Sequence, residues 1–397
     1  MSNAVAQKVL ADMQAASFIR EMFEKGRRLK AELGEDNVCD FSLGNPNAEP
    51  PQAFFDALAA VAAERKAPLH RYMPNAGFDE TRAAVARFVS REYRLAFDAA
   101  SIILTSGAAG GMNVALHAIC NPGDEVIALA PFFPEYRFYI EQAGGRMVLV
   151  QTDAEFQPDL AAVEAALTPR TRAMIINTPN NPTGVVYTEE KCRELAALLA
   201  RHDRPERPLY LLCDDPYRRI IYGLDWCPTP VPHYPRSIVV SSYSKDVSIP
   251  GERAGYIAVP QSVPDRGLLL GALTMLNRTL GFVNAAALGQ RVIARCADAL
   301  CDVGFYQTNR DLLCGALCEY GYELTTPRGA LYAFPRTPLA DDVAFVDLLL
   351  KQRILVVPGR GFGAPGYMRI AFCVERKVIQ RALPGFKAAI EAARARD

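Results

Sequence analysis

Two apolar runs of strand length bracket a single lysine. Ile238-Val239-Val240 leads into Ser241-Ser242-Tyr243-Ser244-Lys245-Asp246-Val247-Ser248-Ile249-Pro250-Gly251-Glu252-Arg253-Ala254-Gly255, and Tyr256-Ile257-Ala258-Val259 follows. Their length and β-branched content mark both runs as strands, so Lys245 falls on a turn at the end of a buried strand. An unpaired ammonium is costly to bury, and that restricts what can surround it. One solution is an imine to an aldehyde, which removes the permanent charge and makes the lysine a covalent anchor. Arg253, eight residues further on, suits a phosphate dianion, and Ser242 and Ser244 offer donors to the same group. An aldehyde together with a phosphate points to pyridoxal 5'-phosphate. The same residues taken alone fit equally well a surface loop in which lysine and arginine form salt bridges.

Composition narrows the class of protein. At 397 residues the chain is long for one core, so two domains are expected. Lys plus Arg and Asp plus Glu both number 44, and a formal net charge of zero argues against a nucleic-acid partner. No apolar run approaches a membrane span. Met1-Ser2-Asn3-Ala4 lacks the charged and apolar pattern of a secretory signal. The ten cysteines contain no C-x-x-C pair, and Cys213 and Cys373 lie inside apolar runs. They read as reduced core residues of a cytoplasmic protein. Four dispersed histidines (His70, His117, His202, His233) do not make a metal site.

Along the chain, further strands end in turns of unusual composition. Residues 1–35 read as helix ended by Gly34, and Gly44-Asn45-Pro46 is a turn. Helices are expected over 51–64 and 78–93, with Tyr72 and Gly77 between them. Ile102–Thr105 is a short strand running into Ser106-Gly107-Ala108-Ala109-Gly110-Gly111 and then a helix. Small residues there let backbone N–H groups close on a phosphate, helped by the helix dipole; tight strand–helix packing selects the same residues. Glu125–Leu129 ends at Pro131-Phe132-Phe133. Ala173–Ile176 opens onto Asn177-Thr178-Pro179-Asn180-Asn181-Pro182-Thr183-Gly184, a rigid polar turn at a strand's carboxyl end, where α/β ligand sites form. Leu209–Cys213 ends in Asp214-Asp215-Pro216-Tyr217. A carboxylate at that point can face a pyridine nitrogen, although a single acid at a strand end is often only a solvated cap. Helix is expected over 268–280 and 285–320, the second too long to run without a bend. Short strands at 323–325, 331–334, 354–357 and 368–372 then alternate with helices, reading as a smaller α/β domain. Arg369 sits in the last of them between apolar neighbours, placed either in a cleft or on a wet face.

In their order, these stretches resemble the class I/II aminotransferases, fold-type-I pyridoxal-phosphate enzymes of the aspartate aminotransferase superfamily. The resemblance runs from Gly44 to Arg369. It implies an α/β fold: a large domain with a mostly parallel seven-stranded sheet flanked by helices, and a smaller α/β domain. The boundaries expected are 1–47 for an N-terminal arm packing with the small domain, 48–285 for the cofactor domain and 286–397 for the small domain. It implies pyridoxal 5'-phosphate held as an imine on Lys245, with Lys245 also the acid/base. Asp214 faces the ring nitrogen, and Asn181 and Tyr217 the phenolic oxygen. Phe133 stacks on the ring, with Phe where other members carry Trp or Tyr. Gly107, Ala108 and Ala109 form the phosphate cup, here through backbone alone because alanines stand where Ser, Thr or Lys are common. Ser242, Ser244 and Arg253 complete the phosphate site. Tyr72 reaches the cofactor phosphate of a neighbouring subunit, so a homodimer with shared sites is expected. Gly44, Asn181 and Arg369 bind the substrate carboxylate. Asp215 stands where the family usually has Glu.

The activity so implied is ping-pong transfer of an amino group between an amino acid and a 2-oxo acid. The same scaffold also serves β-elimination at carbon–sulfur bonds, decarboxylation and acyl transfer. A pyridoxal-phosphate-binding regulatory domain is the alternative outside enzymology. Arg278 is one residue out of register with the family's arginine for side-chain carboxylates, so the amino donor is left open.

Overall fold

The computed structural model describes residues 4–14, 18–65 and 67–395. Parts of the helix expected over 1–35 lie outside that set: residues 1–3 and 15–17 are not described, and helices cover Gln7–Gln14 and Phe18–Leu33. The chain divides into two compact units. One comprises Pro46–Gln307 and Pro327–Ala330, the other Met1–Asn45, Thr308–Thr326 and Leu331–Asp397.

The larger unit is built on seven strands: β1 (Ile102–Ser106), β2 (Glu125–Ala130), β3 (Arg146–Gln151), β4 (Thr171–Ile176), β5 (Tyr210–Asp214), β6 (Ser237–Ser242) and β7 (Ala254–Ala258). They pair in the order β1-β7-β6-β5-β4-β2-β3. All neighbours run parallel except β7, which is antiparallel to both β1 and β6. The sheet is thus mostly parallel and seven-stranded, as the resemblance implies. Both its faces are covered. Ile102, Leu104, Ile127, Leu129, Met174, Ile176, Leu211, Cys213 and Val239 belong to one buried cluster, and Ile103, Val126, Ala173, Ile175, Leu212, Ile238, Val240 and Ile257 to the other. Alternate residues feed opposite cores, which is why these strands read as continuous apolar runs.

Helices in this unit are α1 (Gln52–Ala63), α2 (Asp79–Tyr93), α3 (Gly107–Ile119), α4 (Glu135–Gln142), α5 (Leu160–Ala166), α6 (Glu189–His202), α7 (Arg266–Thr279) and α8 (Ala287–Cys296). Side-chain caps set two of the starts. Asp159 accepts from the Ala162 N–H ahead of α5, and Thr188 from the Lys191 N–H ahead of α6.

The run expected to be helical over 285–320 is two helices, α8 and Val303–Tyr320, separated by a non-helical segment at 297–302. The units meet within the second helix, at Gln307/Thr308, rather than at 285/286. The reason is packing. The Thr81 hydroxyl donates to the Gln290 carbonyl (3.0 Å), Arg291 pairs with Glu80 (3.0 Å), and Arg295 pairs with Glu64. These contacts bind α8 to α1 and α2.

In the smaller unit Cys39–Asp40 pairs in parallel with Ile354–Leu355. A three-stranded antiparallel sheet has Met368–Ala371 between Val357–Pro358 and Tyr332–Ala333. Helices Asp342–Lys351 and Arg376–Arg394 belong to the same unit. The strand expected at 323–325 is absent. The Arg336 N–H reaches the Glu323 carbonyl (2.8 Å), but the next N–H, from Thr337, turns to Gly366 (2.9 Å), so no ladder grows.

Candidate active site

The carboxyl ends of β1, β4, β5 and β6 share one rim of the large sheet with the amino end of the reversed strand β7. Register fixes this: Ser106 at the end of β1 lies opposite Ala254, and Ser242 at the end of β6 lies opposite Gly255. The antiparallel step therefore returns the chain from Lys245 to Arg253 at the same rim.

The small-residue turn and the arginine meet there. Gly107 opens α3 with φ +68°, a conformation that favours glycine. A Cβ on Gly107 would stand 2.8 Å from Arg253 Nη2, and one on Gly255 would stand 2.5 Å from the Gly107 carbonyl carbon. Two glycines are required because the arginine, the helix start and β7 are in direct contact. The Thr105 hydroxyl holds the Gly107 carbonyl (2.9 Å), and Arg253 Nη1 donates to the Pro250 carbonyl (2.9 Å). The opening N–H groups of a helix have no intrahelical carbonyl to bond. Gly107, Ala108 and Ala109 thus present backbone donors beside a guanidinium, a setting for an anion.

Asp214 ends β5 and is buried. Burial pushes its carboxyl up to about 7, against the downward pull of a hydrogen bond from Tyr136 and with a further push from Asp215. The Tyr136 hydroxyl donates to Asp214 Oδ2 in a short contact. Asn177 links the neighbouring turn to this strand end: its Nδ2 donates to the Asp214 carbonyl (2.6 Å) and its Oδ1 accepts from the Asn181 N–H (2.7 Å). Asn181 is itself buried. Asp215 points into the layer behind. It accepts from the Tyr93 hydroxyl (2.7 Å) and lies 3.9 Å from Arg218 Nη1. Burial raises it to about 6, with Arg218 and the Tyr93 bond opposing.

Lys245 and Tyr217 come together on this rim. Lys245 Nζ is 5.8 Å from the centroid of the Tyr217 ring, and Tyr217 is buried. Ser242 and Ser244 are buried on either side of Tyr243. Phe133 is half-buried and meets Tyr136 edge to face, ring centroids 5.6 Å apart. Tyr136 is the residue that sequence reasoning missed. Its signal was position alone, three residues beyond Phe133 at the start of α4, and nothing in the residue type announced a bond to Asp214.

Tyr72 is 92% exposed. Arg278 is exposed near the end of α7, whereas the preceding Asn277 is buried, with Nδ2 3.2 Å from the Leu104 carbonyl. In the smaller unit Arg369 is 2% exposed, its guanidinium between the rings of Tyr332 (4.7 Å) and Phe362 (4.8 Å). Arg369 Nη2 donates to the Ser42 carbonyl (2.6 Å). That contact brings the arginine to the Gly44 turn, where a Cβ on Gly44 would stand 1.9 Å from the Tyr332 hydroxyl. The alternative of Arg369 on a wet strand face is thereby excluded.

The sequence profile of aminotransferase class I and II matches residues 36–386. The chain belongs to this family. The chain is 34% identical over 381 residues to a probable aspartate/prephenate aminotransferase of Thermus aquaticus, covering 90% of this chain and 92% of that one. The aspartate/prephenate aminotransferase of Thermus thermophilus is 33% identical, at 89% and 91% coverage. Among solved structures, an aminotransferase of Eubacterium rectale superposes with a TM-score of 0.93 at 37% identity, covering 98% of this chain and 99% of that one. Aspartate aminotransferase of Thermus thermophilus with maleate gives 0.87 at 27% identity, at 98% and 100% coverage. This aminotransferase is thus an enzyme of the transferase class that moves amino groups. Its family implies pyridoxal phosphate chemistry. Among the described residues no helix is long and apolar enough to cross a membrane, and all ten cysteines are free.

Proposed function

We propose that Lys245 anchors pyridoxal 5'-phosphate and that the enzyme passes an amino group from an amino acid to a 2-oxo acid in two half-reactions. The observation that supports this best is the buried Asp214, its carboxylate held by Tyr136 and its backbone carbonyl by Asn177, on the rim that also carries Lys245, Tyr217 and the glycine-lined anion cup. The residues fit the cofactor: a Cβ at Gly107 or Gly255 would close the cup, and a carboxylate raised by burial suits a partner that brings a positive charge.

When bound, the cofactor supplies a carbonyl carbon that condenses with amines and a ring that takes up an electron pair. The backbone of Gly107, Ala108 and Ala109 holds the phosphate, with Ser242, Ser244 and Arg253. Asp214 keeps the ring nitrogen protonated, which makes the ring a better electron acceptor. Asn181 and Tyr217 hold the phenolic oxygen, and Phe133 covers one ring face. Lys245 Nζ would take the proton from the substrate Cα and deliver it to the cofactor carbon that carries the amino nitrogen. Arg369, with the Gly44 backbone and Asn181, grips the substrate's α-carboxylate through a two-pronged guanidinium contact.

Tyr72, exposed in a single chain, reaches the cofactor phosphate of a second copy, so the working form is a homodimer, and the ten free thiols suit a cytoplasmic location. The names of the relatives make aspartate and prephenate the first pair to assay. Half-reaction spectroscopy is the test. Donor amino acid alone converts the bound cofactor to its amine form, and borohydride labels Lys245. Failure of the first removes transamination, and pyruvate with ammonia released from a cysteine conjugate would replace it with elimination. An active monomer in ultracentrifugation removes Tyr72 from the site.

A further inference from the structure

We infer that Arg219 and Asp246 are a positioning pair that locks the Lys245 turn to the Tyr217 segment and so fixes where the lysine amine stands. The inference rests on the assignment of Lys245 made above.

Arg219 lies two residues beyond Tyr217, and Asp246 directly follows Lys245. Their side chains are 15% and 9% exposed, with Arg219 Nη1 3.7 Å from Asp246 Oδ2. That is a charge contact rather than a hydrogen bond. Arg219 cannot swing away, because its N–H groups are committed elsewhere. Nη1 donates to the Ala299 carbonyl (2.7 Å) and Nη2 to the Asp298 carbonyl (2.9 Å), while the guanidinium lies over the Phe88 ring at 5.1 Å. The same segment grips the lysine turn from its other end. The Cys301 N–H donates to the Asp246 carbonyl (2.7 Å), and Cys301 Sγ lies 3.7 Å from the Lys245 carbonyl.

A closed circuit results: Arg219, residues 298–301, the Lys245-Asp246 backbone, and the Asp246 carboxylate back to Arg219. It passes through the break between α8 and helix Val303–Tyr320, and it gives that break a role. Asp246 Oδ1 has no hydrogen-bond partner among the described residues. The Arg219 charge and the backbone N–H groups of Asp246 and Val247 all favour the ionised carboxylate. Glu92, Cys301, Tyr243 and Tyr256 are the other titratable groups that act on Asp246 or are acted on by it. Burial raises the Asp246 carboxyl to about 7, with Arg219 pulling down and Glu92 pushing up.

The test uses the holoenzyme and the variants Asp246→Asn, Arg219→Lys and their double. Loss of the charge contact lets the amine drift, so Asp246→Asn lowers kcat about ten-fold or more with KM nearly unchanged, since small misplacements of a reacting group have large effects. The pH at which the bound cofactor's absorbance changes moves down by about half a unit or more when a nearby negative charge is removed. Arg219→Lys keeps the charge and retains most of the spectral transition, and it serves if Asp246→Asn does not fold. The double variant is non-additive. An Asp246→Asn protein that melts lower but keeps the wild-type kcat and absorbance transition would overturn the inference, as would full additivity in the double. If borohydride fails to label Lys245 in the wild type, the parent assignment fails instead.

Discussion

Gly255→Ala should damage the anion cup although residue 255 need not touch a ligand. The new methyl group would stand 2.5 Å from the Gly107 carbonyl carbon, 2.7 Å from its Cα and 2.9 Å from its oxygen. Each atom is backbone, so no side-chain rotation relieves the clash; β7 must part from the start of α3. Overpacking of this kind costs about 1–3 kcal/mol, and the displaced atoms belong to the donors of the cup. If half of that strain falls on the bound geometry, cofactor affinity drops about two- to twelve-fold, since 1.4 kcal/mol is one decade. Gly107→Ala is the companion variant. Its methyl would meet only the mobile end of Arg253 at 2.8 Å, but φ +68° adds about 1–2 kcal/mol for a non-glycine residue. Gly271→Ala is the control: exposed within α7, it has nothing within 4 Å of the added carbon and should stabilise by about 0.8–1 kcal/mol. Equilibrium titration of the apoenzyme with pyridoxal phosphate, alongside urea melts, separates the three. A Gly255→Ala protein that binds within two-fold of wild type and melts like Gly271→Ala would refute the close-approach argument.

Three further outcomes are expected. Tyr136→Phe removes the hydrogen bond that lowers the Asp214 carboxyl, so Asp214 titrates above its present value of about 7; cofactor affinity then falls most at pH 6–7 and recovers at higher pH in a titration series. The cofactor-free protein should lose stability as pH rises from about 4 to about 7. Asp214, Asp215 and Asp246 are raised by burial to about 7, 6 and 7, so the folded chain holds protons that the unfolded chain has already released; a melt that improves through this window would contradict the burial of these three groups. Arg369→Ala should lower kcat/KM about 10²-fold, the size expected for losing charged hydrogen bonds worth about 1.5–3 kcal/mol. Arg369→Lys should restore only part of it in steady-state assays, because an ammonium lacks the planar fork.

Much of the rim was legible because its residues sit at strand ends, and strands buried on both faces announce themselves as apolar runs. Lys245, Asp214, Asn181 and the 106–111 turn could each be placed by that rule before any coordinates. Contacts between distant segments could not. Tyr136 looks like any helix-start aromatic until β2 and β5 are paired through β4. The 297–302 break was foreseen only as a bend, since Arg219's bonds to residues 298 and 299 leave no trace in local composition. The attachment of α8 to the larger unit was equally hidden, because the Glu80 and Glu64 partners of its Arg291 and Arg295 lie more than two hundred residues upstream. The strand expected at 323–325 failed for a related reason: composition proposes a strand, but only a partner of matching length makes one.

The reversed strand β7 has a consequence for chain connectivity. Lys245, the proposed anchor, and the guanidinium beside the cup lie on one uninterrupted excursion, 245–253, that leaves and re-enters the sheet at a single rim. A protease nick or a circular permutation inside that excursion would detach the tether from its counter-charge while leaving all seven strands in place. A cut in the Ala99–Ser101 turn before β1, outside the rim, carries no such coupling.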